Sequence, residues 1–364
     1  MEELEIPKSP GFAEARRIRR LETKDIARRV GAISPDRFFI NGFPARHSVA
    51  VFNPGLLYDG GDEVLLYPRI IIGYYKYVSA IAEVEVPLED IENGQVNMNV
   101  YSGSLVVSPS SRVDFWGAED PRVYKLRERR LMTYTGRTVN YFEAGDRDRT
   151  LPVTAVKVGS RWLKALVGRP TPQLSDRLVS DKNAFLVDVD GVLFMLHRVH
   201  LAPDDFRLLA SRLRSEAMDA IENPPSEGPV EVLAEKDWHV MPHAIFEEKI
   251  GWGAPPLRLS GRDYLFLLHG VAREMQVYRV FAAIIELHPR EGPIVKAVTP
   301  RYIMEPREPY ETFGDRPYTV FPCGAERLDD DRILLSYGAA DYMAALAIIP
   351  VDELMSELDR GRIY

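Results

Sequence analysis

One cysteine in 364 residues, Cys323, is the first constraint. No intramolecular disulfide can form, and so few thiols fit a reducing compartment. A long apolar run is also missing, since no uninterrupted stretch approaches the roughly 18 residues of a transmembrane helix. The acidic opening, MEELEIPKSP, lacks the apolar segment of a secretory leader. Positive charge is not in excess. A net charge of −8 excludes a chain-wide surface for nucleic acid, while leaving room for a local basic pocket. There is no Walker loop, no dinucleotide fingerprint in context and no nucleophile elbow. The glycines of GWGAPP (251–256) lack the strand–helix setting of a phosphate loop. His239 and His243 stand four apart, but Pro242 lies between them and no other ligand cluster accompanies them, so no metal is expected. What remains is a soluble, cytoplasmic, globular chain, 46% hydrophobic and 27% charged, with no membrane or nucleic-acid partner and no organic cofactor.

What is present is a repeat. The apolar runs VLLY, LMTY, LFMLH, LFLLH and ILLSY end on Tyr67, Tyr134, His197, His269 and Tyr337, which lie 67, 63, 72 and 68 residues apart. Fourteen positions before each of these anchors, a segment of equal length begins: NPGLLYDGGDEVLLY, DPRVYKLRERRLMTY, NAFLVDVDGVLFMLH, PPLRLSGRDYLFLLH and CGAERLDDDRILLSY. Each has two strand-like runs around a polar turn, the signature of a β-hairpin. A hairpin recurring every 60 to 70 residues leaves room for four strands per unit and predicts an all-β, five-bladed β-propeller. The expected organisation is an N-terminal helical extension over 1–45, the propeller over 46–350 and a helical tail over 351–364. Helices are predicted over 11–30, over 202–221 as an insertion, and at VDELMSEL (351–358).

A hairpin returns its chain, so its first and last residues share one end. Asn53 with Tyr67, Asp120 with Tyr134, Asn183 with His197, Pro255 with His269 and Cys323 with Tyr337 would therefore line one polar, aromatic funnel. Within it, Glu119 and Asp120 form a carboxylate pair. Neighbours on a strand point to opposite faces, so one of them is expected to aim inward, and Asp120 holds the aligned position. Asp120-Pro121 reads as the mouth of a strand, where proline does least harm. Arg69, Lys182, His197, Arg198 and His269 all lie at or within two residues of a hairpin end. Together they read as an anion site. The competing reading is a set of salt bridges to Asp120, Glu119 and Asp341.

At this point the chain resembles glycoside hydrolase family 130, the β-mannoside phosphorylases and related mannosidases. The pieces that carry the resemblance run in order: NPGLLYDGGDEVLLYPR, GAEDPRVY, LMTYTG, SDKNAFLV, VLFMLHR, KIGWGAPPLRL, YLFLLHGV, EPREPYETFG, VFPCGA and SYGAADYMAALA. The resemblance implies a five-bladed propeller and a glycosyltransferase-type phosphorolysis. Inorganic phosphate would be co-substrate and a small oligosaccharide the substrate, with inversion to α-mannose 1-phosphate. It makes Asp120 the general acid, acting through the 3-hydroxyl of the mannosyl unit. It places Lys182, Asn183, Arg198 and His269 around phosphate, and Asn53, Arg69 and Asp341 on mannose hydroxyls. Glu119, Arg122, Tyr134 and His197 complete the expected sugar-binding set, with Tyr310 and Glu311 in a matching loop. Family members often assemble, which makes a homo-oligomer an expectation. LLYPR carries a proline where the family runs from Tyr to Arg, and the segment 150–180 matches the family poorly, so no further phosphate arginine is placed there and Arg169 stands only as a candidate. Two alternatives stay open. One is an inverting β-mannosidase with Glu119 or Glu326 activating water. The other is a non-catalytic carbohydrate-binding propeller.

Overall fold

The structure, a computed structural model, describes residues 5–44, 47–73, 77–143, 145 and 147–364. It is all-β, mostly sheet with few helices. After helix α1 (Phe12–Ile18) come β1 (Arg28–Ile33) and β2 (Phe38–Ile40), and then five consecutive antiparallel units. The first comprises β3 (Ala50–Leu57), β4 (Glu63–Ile71), β5 (Ser79–Pro87) and β6 (Tyr101–Val107), with α2 (Leu88–Glu92) between the last two. The second is β7 (Gly117–Leu126), β8 (Arg129–Arg137), β9 (Thr150–Val158) and β10 (Arg161–Arg169). After α3 (Pro172–Ser175) the third follows: β11 (Leu178–Val189), β12 (Val192–Leu201), β13 (Asp205–Leu213), α4 (Glu216–Glu222) and β14 (Val230–Met241). The fourth is β15 (Glu247–Trp252), β16 (Leu257–Ser260), β17 (Asp263–Ala272), β18 (Tyr278–His288) and β19 (Gly292–Val298). After α5 (Pro309–Thr312) the fifth holds β20 (Val320–Arg327), β21 (Arg332–Ala339) and β22 (Met343–Pro350), and α6 (Val351–Arg360) ends the chain.

Two links join these units. β10 pairs in parallel with β14, so the second and third units form one eight-stranded sheet. β1 pairs with β22, so the N-terminal segment supplies the outermost strand of the last sheet and ties the two chain ends together. All five sequence repeats are hairpins: β3–β4, β7–β8, β11–β12, β16–β17 and β20–β21. The first strands of four of them, β3, β7, β11 and β20, sit deep, and in the fourth unit β15 takes that place while β16 stays near the surface. β3 packs against β20 and β7, β7 also against β11, and β11 against β15. The burial of β3 runs through all eight residues, as expected of a strand covered on both faces.

The structure corrects two helices. Over 11–30 only Phe12–Ile18 is helical. Beyond it the chain runs extended beside residues 300–303, where Arg20, Lys24 and Ile26 donate backbone N–H groups to Pro300, Tyr302 and Ile303. Arg19, itself buried, pairs with Glu247 at 2.8 Å and lies 3.5 Å from the centre of the Phe281 ring. Over 202–221, Asp205–Leu213 forms β13 and helix is confined to α4. Phe206, Leu209 and Leu213 fit a helical stripe, but hydrogen bonding to β12 on one side and β14 on the other favours a strand. Tertiary pairing overrides a weak local preference. The tail prediction agrees with α6. Among the described residues no helix is long and apolar enough to cross a membrane.

Candidate active site

Asn53, Asp120 and Asn183 are equivalent in the repeat, and all three adopt left-handed backbone, with φ of 48°, 50° and 58°. Of the non-glycine residues, Asn and Asp enter this region most readily. At each of them the hairpin register slips, between Phe52 and Gly55, Glu119 and Arg122, and Lys182 and Phe185. Such bulges re-aim a side chain, and here they turn three polar side chains into one cavity. They also correct the strand mouth. β7 begins at Gly117, and Pro121 lies inside it, at the bulge, where a missing N–H breaks no ladder bond.

The cavity measures about 460 Å³, within the usual range for a ligand pocket. Seven predicted residues line it: Asn53, Arg69, Asp120, Lys182, Asn183, Arg198 and Asp341. Two glycines make room for the polar floor. A Cβ on Gly338 would lie 1.6 Å from Asn53 Oδ1, and one on Gly251 would lie 2.4 Å from both Asn183 Nδ2 and His269 Cε1. The GWGAPP glycine thus serves close approach beside the site.

Asp120 Oδ1 accepts hydrogen bonds from Asn53 Nδ2 at 2.7 Å and Arg69 at 3.0 Å. Its Oδ2 has no hydrogen bond among the described residues. Burial opposes ionisation of Asp120 most strongly, but Arg69, with Lys182 and Arg122, outweighs it and holds the carboxyl below its ordinary value. Glu119 points the other way and is fully buried. It takes Arg137 at 2.5 Å, Lys182 at 3.3 Å, Arg69 at 3.4 Å and the Tyr141 hydroxyl at 2.7 Å. Against the cost of burial these cations keep it well below the carboxylate range. Glu119 is therefore the common counter-ion beneath the cavity and does not line it.

Lys182 and Arg198 are direct partners across β11–β12 and project into the same cavity. Burial lowers the Lys182 amine to about 8, despite Glu119. Arg198 has no hydrogen bond or ion pair to another described side chain, and burial, followed by the charge of Arg122, lowers it. The salt-bridge reading thus accounts for Arg69 and Lys182 but not for Arg198.

Five predicted residues stand outside the cavity. Besides Glu119, Arg122 lies under the floor, donating to the carbonyls of Gly253 at 3.0 Å and Asp120 at 2.6 Å. Tyr134 is buried with its hydroxyl on Asp114 at 2.7 Å. His197 is buried between Asp181 at 2.6 Å and Ser211 at 2.7 Å. His269 lies behind Asn183 at 3.5 Å, and burial, with Arg198 and Arg122 nearby, holds it neutral. The hairpin anchors carry aromatic mass and point into the core, which is why the expected aromatic funnel does not form from them. Tyr67 and Tyr337 are equally buried, Tyr337 donating to Glu311 at 2.7 Å. Glu311 is itself buried against Arg29 at 3.0 Å. Arg169 pairs with Asp148 and Glu231, at 2.9 Å each, away from the cavity. Glu326, raised to about 8 mainly by burial, lies beside Asp59 and Lys125 at the turn end of the hairpins, opposite the cavity.

Sequence reasoning missed Arg137, Arg316, Tyr77, Tyr141, Phe142 and Tyr278 among the lining residues. Arg137 had a signal: like Arg69 and Arg198, it follows a hairpin anchor within three residues. Arg316 pairs with Asp341 at 3.3 Å and donates to the Tyr278 hydroxyl at 3.0 Å. Burial raises Asp341, and Arg316 partly offsets this. Tyr77 and Tyr141 meet edge to face at 5.2 Å, and Tyr77 donates to Asp315 at 2.5 Å. Tyr77, Tyr141, Phe142 and Arg316 lie in loops and Tyr278 opens β18, all outside the repeat, so the spacing could not reveal them. Among the described residues no group of three or more His, Cys, Asp or Glu side chains is placed to hold a metal ion.

The glycoside hydrolase family 130 model, described as beta-1,4-mannooligosaccharide phosphorylase, matches residues 17–360. Two relatives come from Thermoanaerobacter sp. (strain X514). A 1,2-beta-oligomannan phosphorylase is 27% identical over 312 residues, covering 84% of this chain and 91% of the relative. A beta-1,2-mannobiose phosphorylase is 26% identical over 319 residues, with the same coverage of each. Among solved structures, the beta-1,2-mannobiose phosphorylase of Listeria innocua superposes with a TM-score of 0.66 at 17% identity. That match covers 92% of this chain and 99% of the other.

Proposed function

We propose, from the premise that this chain belongs to glycoside hydrolase family 130, that it cleaves β-mannosides with inorganic phosphate and inverts them to α-mannose 1-phosphate. The observation that carries this reading is the guanidinium of Arg198, which has no ion pair or hydrogen bond to another described side chain, set beside Lys182 in the cavity that holds Asp120. Two cations, one with no counter-ion among the described residues, are what a polyanionic co-substrate needs. Arg137 lines the same cavity and joins the proposed phosphate set with Asn183. His269, being neutral, is reassigned: its Nε2 faces the Asn183 amide and orients it. Asn53, Arg69 and Asp341 would take mannose hydroxyls, with Arg69 also holding the acid in place. Around this site, the packing of β3, β7, β11, β15 and β20 supports five units standing radially as propeller blades.

Phosphate is already an anionic nucleophile, so the site needs one acid and no base. An inverting hydrolase would need a second carboxylate over a water molecule. Neither glutamate considered for that task lines the cavity, since Glu119 is locked beneath three cations and Glu326 lies at the far end. In the proposed step a phosphate oxygen forms the new bond to the anomeric carbon as the bond to the leaving oxygen breaks. Asp120 passes its proton through the 3-hydroxyl to that leaving oxygen. Arg69, with Lys182 and Arg122, favours the ionised form of Asp120. An incoming phosphate charge and the exclusion of water both favour its protonated form. Hydrogen phosphate leaves one proton on the new ester, whose second pKa is near 6, and returning it to Asp120 closes the cycle. Held in line by Lys182 and Arg198, phosphate gains from orientation as well as charge. A charged product is retained by a membrane, which suits the cytoplasmic location that we propose.

The test is incubation with β-1,2-mannobiose, the linkage named in both curated relatives, with and without phosphate. The expected result is phosphate-dependent mannose 1-phosphate, α by NMR of the anomeric proton. Equal release of free mannose in both tubes would replace this reading with the β-mannosidase one. Binding without turnover in either tube would leave a carbohydrate-binding protein.

A further inference from the structure

Next to the catalytic cavity lies a second depression of about 740 Å³. Its walls include Asn97, Tyr310, Phe313, Asp315 and Tyr342. Asp315 lines both spaces, and Tyr342 directly follows Asp341 of the cavity. The two are therefore neighbours across one strap of chain, residues 313–316. That strap is pressed onto the turn that carries Asp341: a Cβ on Gly314 would lie 2.5 Å from the Ala340 carbonyl oxygen. It is also anchored behind. Glu308 and Glu311 cap the first turn of α5 reciprocally, and Pro309 begins that turn. On this held strap Phe313 is 74% exposed.

An exposed phenylalanine alone needs no explanation. This one stands on a fixed strap, in a groove that adjoins a sugar-sized pit, and its ring has no aromatic partner among the described residues. A pyranose offers one face of C–H groups and a rim of hydroxyls. Aromatic rings take the face, and amides and carboxylates take the rim. The groove supplies both kinds of group. Asn97 spends its Oδ1 on the Ala32 N–H at 2.8 Å, while its amide nitrogen has no hydrogen bond among the described residues. Asp315 is bound on one oxygen by Tyr77.

We propose that this groove binds the sugar units of an oligomannoside beyond the bond that is cleaved, with Phe313 as their stacking platform. The terminal mannosyl unit fills the pit at Asp120, and the leaving chain passes Asp315 onto Phe313. This inference rests on the phosphorylase reading and adds a preference for chain length. The test compares kcat/KM at saturating phosphate for the β-linked mannobiose and mannotetraose of one linkage. The tetraose is expected to be better by about fivefold to tenfold, the scale of one ring contact. Phe313→Ala should bring that ratio close to one, and Phe313→Trp should keep it. A wild-type ratio of one overturns the inference, and so does a ratio that survives Phe313→Ala. If phosphorolysis of the disaccharide persists in either case, the proposed function stands without the groove. If no oligomannoside shows phosphate-dependent turnover, both fall. A ratio unchanged by Phe313→Ala together with a shift in oligomeric state would assign the groove to a second copy of the chain.

Discussion

The second and third hairpins use the same backbone to opposite ends. Each opens with a left-handed Asp or Asn in a bulge, Asp120 in one and Asn183 in the other. At the second, both carboxylates are matched: Asp120 by Arg69, and Glu119 by Arg69, Arg137 and Lys182. At the third, Arg198 has no ion pair or hydrogen bond to another side chain among the described residues and meets only the Phe206 ring, at 5.8 Å. The difference shows how one repeated loop geometry can present an acid from one unit and cations from the next. The bulge settles where a side chain points, and the residue type at that position settles what it does there.

Removing the acid would break this comparison most severely. Asp120→Asn keeps the shape and the Asn53 and Arg69 contacts, and should lower kcat by about a thousandfold, within the range for a general acid. An unaltered circular dichroism spectrum would show that the fold survives. Arg198→Ala should mainly raise the KM for phosphate, by about a hundredfold, as expected for a charge-assisted contact worth about 3 kcal/mol. The KM for the mannoside should move little. A change confined to the mannoside KM would instead put Arg198 on the sugar.

The matched side can be tested through stability. Glu119→Gln leaves Arg69, Arg137 and Lys182 crowded and uncompensated, and should cost about 3 kcal/mol in urea unfolding. Little or no loss would mean that water or phosphate already screens those cations. The smallest effect concerns pH. Lys182, lowered from its ordinary value to about 8, carries its charge below that pH and loses it above. Phosphate affinity should therefore fall as pH rises through about 8, by up to roughly tenfold for one lost charge–phosphate contact. Lys182→Arg should shift that alkaline limb out of the measured range. An identical limb in the variant would assign it to another group.

The hairpins were legible because their determinants are local: an apolar run, a polar turn and an aromatic or histidine anchor at nearly constant spacing. Asp120, Asn53 and Asn183 could be found for the same reason, since only a few residue types accept left-handed backbone. The anchors were misread. Tyr134 and His197 mark the hairpin end, but spacing does not say which face of the strand looks into the cavity, and both look into the core. Segment 202–221 went wrong because its apolar positions satisfy two periods at once, and only the flanking strands select one.

The amino-acid sequence by itself determined the repeat, the bulge-forming Asn and Asp positions, and the company of Asp120 with several cations. These depend on side chains acting over a few residues of their own chain. Tertiary structure alone decided which charges cancel. Glu119 is neighbour to Asp120 in the chain, yet it meets Lys182 from another unit and becomes counter-ion rather than acid. The Tyr77–Asp315 contact likewise arises where loops from distant units converge. The physical reason is range: backbone preference is set by nearest neighbours, whereas burial and Coulomb energy depend on whatever the fold brings within a few ångströms.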